Sequence, residues 1–120
     1  MKKLLVLLAF VAGTFSLANA QQKAAMTATI KTPTVQCEEC QKRIENYLVK
    51  EEGVYKYVVN YRNKTVKVSW YTDRTNLETI KTAIANAGYD ADDVAANPDS
   101  YKKLPTCCKK PEDGGGHKKN

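Results

Sequence analysis

From Met26 to Thr32 the chain alternates apolar Met26, Ala28 and Ile30 with polar Thr27, Thr29 and Lys31. A period of two is that of a strand with one face buried, and Pro33 ends it. The period then lengthens. Cys40, Ile44, Tyr47 and Leu48 recur at intervals of three and four, which predicts a helix from about Glu38 to Lys50 that turns this stripe inward and stops at Glu52-Gly53. The period returns to two at Tyr57, Val59 and Tyr61, with Lys56, Val58 and Asn60 on the other face. Arg62-Asn63-Lys64 makes a turn, and Val66, Val68 and Trp70 then alternate with Lys67, Ser69 and Tyr71, completing an antiparallel hairpin. Capping residues between Asp73 and Asn76 open a second amphipathic helix through Leu77, Ile80, Ile84 and Ala87, which Gly88 terminates. Tyr89 to Val94 falls where a last strand belongs, although Asp90, Asp92 and Asp93 are poor strand formers.

The order is β-α-β-β-α-β. It predicts an α+β, ferredoxin-like domain over residues 24–95, with two helices on one face of a four-stranded antiparallel sheet and a core through Ile44, Leu48, Trp70 and Ile80. Ahead of it, Met1-Lys2-Lys3, an apolar run from Leu4 to Gly13 and the small residues Ala18-Asn19-Ala20 have the form of a secretory leader, residues 1–20. The run is too short for a transmembrane anchor, and the expected product is a soluble monomer, periplasmic or secreted. Behind the domain, residues 96–120 read as a tail in which Asn97-Pro98-Asp99 caps a short helical turn and Gly114-Gly115-Gly116 has linker composition.

Charge changes this picture little. The 19 basic and 13 acidic residues give +6, and loss of Lys2 and Lys3 with the leader lowers it to +4. Much of the excess sits in the tail, at Lys102, Lys103, Lys109, Lys110, Lys118 and Lys119, so no nucleic-acid groove is implied. No Ser-His-Asp set, phosphate-binding glycine loop or helical metalloprotease motif is present.

The chemistry lies in four cysteines. Cys37 and Cys40 fall at the junction of the first strand and first helix, where spacing of two lets both sulfurs converge on one ion. Thiolates select Cu(I), Zn(II) and heavier soft ions such as Hg(II) or Cd(II) over Mg(II) or Ca(II), and a helix N-terminus favours the thiolate. An ion with two sulfurs on an exposed loop stays under-coordinated, so an acceptor thiol can add before a donor bond breaks. Glu38 and Glu39 either tune the ion's charge preference or simply complement the helix dipole. Cys107-Cys108 reads as extra ligands, a disulfide partner for Cys37 or Cys40, or a docking thiol. With a fourth strand ending ~20 Å from the loop, the twelve residues Ala95 to Thr106 suffice to bring these cysteines back, since they reach ~40 Å extended. His117 reads as solvated tail.

The run Thr34-Val35-Gln36-Cys37-Glu38-Glu39-Cys40, with Ile44, Glu45, Leu48, Gly53-Val54 and Gly88-Tyr89 behind it, resembles the heavy-metal-associated domain family over Thr27 to Val94. The resemblance implies the same βαββαβ fold and carriage of one soft ion per domain, Cu(I) first among the candidates. It also implies delivery to a metal-transporting membrane protein or another thiol-bearing acceptor, without catalysis. That family commonly has Gly-Met-Thr before the first cysteine, and Val35 stands here in place of the methionine that packs beneath the loop. Tyr89 is expected beside the site, as a shield for the ion or as packing. The rival reading is a thiol-disulfide redox protein using the same Cys-x-x-Cys pair, although Gln36 replaces the aromatic usual before its first cysteine.

Mass spectrometry of protein exported from cells should find a mature chain beginning at Gln21, and retention of Met1 would contradict the leader.

Overall fold

The structure, a computed structural model, describes residues 24–115. The expected leader and His117 lie outside them. The elements run β1 (Ala25–Lys31), α1 (Glu38–Leu48), β2 (Val54–Asn60), β3 (Thr65–Tyr71), α2 (Leu77–Ala87) and α3 (Pro98–Lys102), followed by two 3-10 turns, Thr106–Cys108 and Pro111–Asp113.

The alternation read from the sequence places β3 at the centre of an antiparallel sheet in the order β1-β3-β2. Ile30 faces Val66, Ala28 faces Val68, and on the other side Val59 faces Val66 and Tyr57 faces Val68. The register slips between Val54 and Lys56, a bulge that adds local twist. Inward side chains of the hairpin are the expected Val59, Val66, Val68 and Trp70, while Met26, at the free end of β1, stays 55% exposed. Ser69 is buried too, its hydroxyl 2.8 Å from that of Thr27, which satisfies both groups on the outer side of the sheet.

Helix α1 buries Cys40, Ile44 and Leu48, a stripe at strict intervals of four that puts one residue over the next. Tyr47, expected on the same stripe, is displaced around the helix and is 45% exposed. The helix ends at Leu48 rather than Lys50, and the turn beyond it is taken by Gly53 at φ +92, where an added Cβ would lie 2.9 Å from side-chain atoms of Arg74 and Thr75. Helix α2 is capped at its start by Asn76, whose side-chain oxygen accepts from the Thr79 amide at 2.8 Å, and at its end by Gly88 in the left-handed region. Ile80 and Ile84 carry it onto the same core as Ile44 and Leu48.

The fourth strand expected at Tyr89–Val94 is absent among the described residues. The segment turns back on itself through one isolated bridge, Ala91 to Val94, with Asp92 at φ +51. Its acids explain why. Buried Lys81 on α2 draws Asp93 to 3.0 Å and Asp92 to 3.6 Å, with Glu78 at 3.3 Å, and carboxylates recruited this way cannot also alternate along a ladder. What remains of edge pairing is the Asp92 amide donating to the Lys31 carbonyl at 2.8 Å and the Lys31 amide donating to the Asp92 carboxylate at 2.7 Å. The Asp93 carboxyl is held below its usual range by the hydrogen bond from Lys81.

Because the chain turns instead of running down the sheet, the tail has no distance to recover. The Asn97 amide donates to the Ala85 carbonyl at 2.9 Å, and the Asn97 side chain caps α3. Leu104 then lies on Gly88, so that a Cβ at position 88 would sit 3.1 Å from its side chain. The Tyr101 hydroxyl closes the tail upon itself, donating to Asp113 and accepting from the Lys110 amide.

Ile44→Ala should cost about 2–5 kcal/mol of unfolding free energy in a urea titration, whereas Tyr47→Ala should cost about 1 kcal/mol or less. Equal losses would contradict the four-residue stripe. A group with a lowered folded-state pKa stabilises above its unfolded pKa and ceases to as pH falls through the folded one. Acid should therefore release the loop around Asp93 only below the normal carboxylate range, as followed by its carboxyl chemical shift.

Candidate metal centre

Thr32 and Val35 are fully buried, and the Val35 amide donates to the Thr32 carbonyl at 3.1 Å. This tight turn delivers the chain from β1 to α1. Val35 fills the space beneath the loop, so a β-branched side chain does the packing expected of the family's methionine. Cys37 is the N-cap residue of α1, with extended backbone at φ −154, and its carbonyl accepts from the Gln41 amide at 3.1 Å. Cys40 follows on the buried stripe. The two sulfurs lie 3.4 Å apart and are not bonded to each other.

Burial is deeper than the sequence implied: Cys37, expected at an exposed loop, is 6% exposed, and Cys40 is at 0%. The cover comes from the tail. The 3-10 turn Thr106–Cys108 lies against α1 and splits the adjacent cysteines. Cys108, 1% exposed, points inward, and the sulfurs of Cys37, Cys40 and Cys108 all lie within 4.8 Å of one another. Cys107 stays half-buried at the rim, its sulfur 3.9 Å from that of Cys108, while its carbonyl accepts from the Cys37 thiol at 3.8 Å. No disulfide joins any two of the four cysteines in this structure.

Electrostatics follow from this burial. Desolvation pushes the Cys108 thiol well up, reinforced by Cys40, and desolvation raises Cys107 as well. Tyr89 is fully buried in the core, and its hydroxyl has no hydrogen-bond partner even though Cys108 and Cys40 lie beside it. Burial and these two thiols drive its own titration far up, so it remains a neutral O–H donor. Of the two roles read for Tyr89, packing is the one its full burial shows, with its hydroxyl end beside the thiols of Cys40 and Cys108.

One side of the cluster opens outward. A depression of about 400 Å³ is lined by Gln36, Cys37, Glu38, Glu39, Tyr61 and Cys107. Glu38 and Glu39 are exposed in the first turn of α1, where they complement the dipole and also border this mouth. Cys40 and Cys108 lie behind it. The sequence reading named Cys37 and Cys40, with Cys107 and Cys108 as further candidates, and set Tyr89 beside them; the structure brings Cys37, Cys40 and Cys108 together next to Tyr89, whereas Leu104, an isolated apolar residue between lysines and a proline, was not singled out.

The heavy-metal-associated domain profile matches residues 29–90. Over 63 residues the chain is 32% identical to the mercuric transport protein periplasmic component of Shewanella putrefaciens, covering 52% of this chain and 69% of that protein. Over 67 residues it is 34% identical to a copper-exporting P-type ATPase of Staphylococcus aureus (strain Newman), covering 56% of this chain and only 8% of the ATPase. Among solved structures, oxidized MerP from Ralstonia metallidurans CH34 superposes with a TM-score of 0.55 at 28% identity, covering 57% of this chain and 96% of that one. Leu104, Cys107 and Cys108 lie beyond the matched residues. A match over more than half the length, carried by a fold with two cysteines at the start of its first helix, decides the matter: the chain belongs to the heavy-metal-associated domain family.

Proposed function

We infer that this protein is an exported carrier of a soft metal ion, which it holds through Cys37 and Cys40 and passes by thiolate exchange to a metal-transporting membrane protein or another thiol-bearing acceptor. The observation that carries this reading is the convergence of the two sulfurs, 3.4 Å apart at the N-terminus of α1, in a member of this family. Relatives named for mercuric transport and for copper export support a thiophilic cargo such as Cu(I) or Hg(II), which thiolates prefer to hard cations. The leader-like N-terminus and the periplasmic relative support export.

Each residue has a distinct part. Cys40, locked into the core, fixes the position of the ion. Cys37 faces the depression and is the bond an incoming acceptor thiol displaces. Binding exchanges thiol protons for the ion and moves no electrons. Glu38 and Glu39 at the mouth give an acceptor with basic side chains an attractive approach.

Anaerobic titration of the reduced mature chain should show one Cu(I) per protein, and Cys37→Ser or Cys40→Ser should each weaken binding by about 100-fold or more, since even residues that only support a ligand are worth 10–100-fold. Unchanged affinity in both variants would place the site elsewhere. Both variants and the metal-free wild type should keep a native circular dichroism spectrum, because Ile44, Leu48, Trp70 and Ile80 form a core that needs no ion. A redox enzyme would instead turn over a disulfide substrate, and measurable turnover lost in Cys37→Ser would overturn the carrier reading.

A further inference from the structure

We propose that Cys108, carried in by the tail, is a third sulfur ligand, so that the resting ion sits in a closed three-thiolate site, with Cys107 outside the coordination sphere at the mouth. This rests on the carrier reading and extends it to a residue beyond the part of the chain that matches the family.

The distances decide between two and three sulfurs. With metal–sulfur bonds of ~2.3 Å, three ligands in a plane stand ~4.0 Å apart and two ligands in a line ~4.6 Å apart. Cys37 and Cys40, at 3.4 Å, need to part by ~0.6 Å for the first geometry and ~1.2 Å for the second. The strict stripe that buries Cys40 resists the larger movement. The cluster containing Cys108, with all three sulfurs within 4.8 Å, already brackets the spacing of a trigonal site.

A second observation points the same way. The Tyr89 hydroxyl is fully buried without a partner, beside Cys40 and Cys108. A buried donor without a good acceptor is costly, and the neutral thiols beside this one are weak acceptors. Once the ion replaces their protons, the same sulfurs become anionic acceptors and the hydroxyl donates to them. The apo arrangement is thus complementary to a thiolate cluster that includes Cys108. The tail is seated for this by its own packing, through Leu104 on Gly88 and the bond from the Asn97 amide to the Ala85 carbonyl. On binding Cu(I) the three thiols release three protons to solvent, and no bond other than metal–sulfur is made. Hand-off begins when an acceptor thiol, giving up its proton, bonds to the ion at the mouth, and the Cys37–metal bond then breaks, with Cys37 taking up a proton.

The test loads the reduced mature protein with one equivalent of Cu(I) and counts sulfur neighbours by X-ray absorption, together with the rate of loss to a small competing dithiol. Wild type and Cys107→Ser should show three sulfurs, and Cys108→Ser should show two, with loss accelerated about 100-fold. Cys108→Ala, which buries no hydroxyl, repeats the measurement should the serine disturb folding. Two sulfurs in the wild type, or three retained in both Cys108 variants, would overturn the proposal while leaving the carrier reading intact wherever Cys37→Ser weakens binding by about 100-fold or more. A wild type that takes up no Cu(I) would overturn both.

Discussion

The position of Cys40 is settled by packing before any ion arrives, and the rest of the site is arranged around it. It shares one stripe of α1 with Ile44 and Leu48, all three without measurable exposure. Its sulfur therefore sits at a fixed height above the sheet, at the junction of core and surface. A side chain held by a hydrophobic core is already in place, so little entropy remains to be lost in any role it is given. Cys37 contributes the opposite property: as the N-cap it belongs half to the loop, and its neighbours at the depression are polar. The pair thus combines one sulfur fixed in the core with one that borders the depression, a difference that follows from their places at the start of the helix.

Much of this was legible along the chain because it rests on periodicity. The alternation through Val66, Val68 and Trp70 and the four-residue spacing of Cys40, Ile44 and Leu48 are local patterns with a single structural solution, and both elements form where expected. Asn76 and Gly88 bound α2 for equally local reasons. What did not show was decided by contacts distant in sequence. Tyr89 to Val94 has the place of a strand in the order of elements, but Lys81, on the preceding helix, competes for its aspartates and wins through two ion pairs, to Asp93 at 3.0 Å and to Asp92 at 3.6 Å.

Which of the two tail cysteines turns inward was unreadable for a related reason. Two adjacent thiols give no sign of which one turns inward, because that depends on the 3-10 turn and on Leu104 finding the bare backbone of Gly88. The path that brings them back is also shorter than the expected one. A chain that reverses at Ala91–Val94 and bonds immediately to the end of α2 never leaves the neighbourhood of the site, so the long return from a fourth strand is not needed.

The contact between Gly88 and Leu104 has a consequence for how such a protein can vary over generations. Any side chain at position 88 must meet an unfavourable backbone angle and, within 3.1 Å, the side chain that seats the tail. One codon therefore governs both how the second helix ends and how firmly the lid rests over the sulfurs. Lineages cannot adjust these two traits separately at that position, and selection acting on either constrains the other.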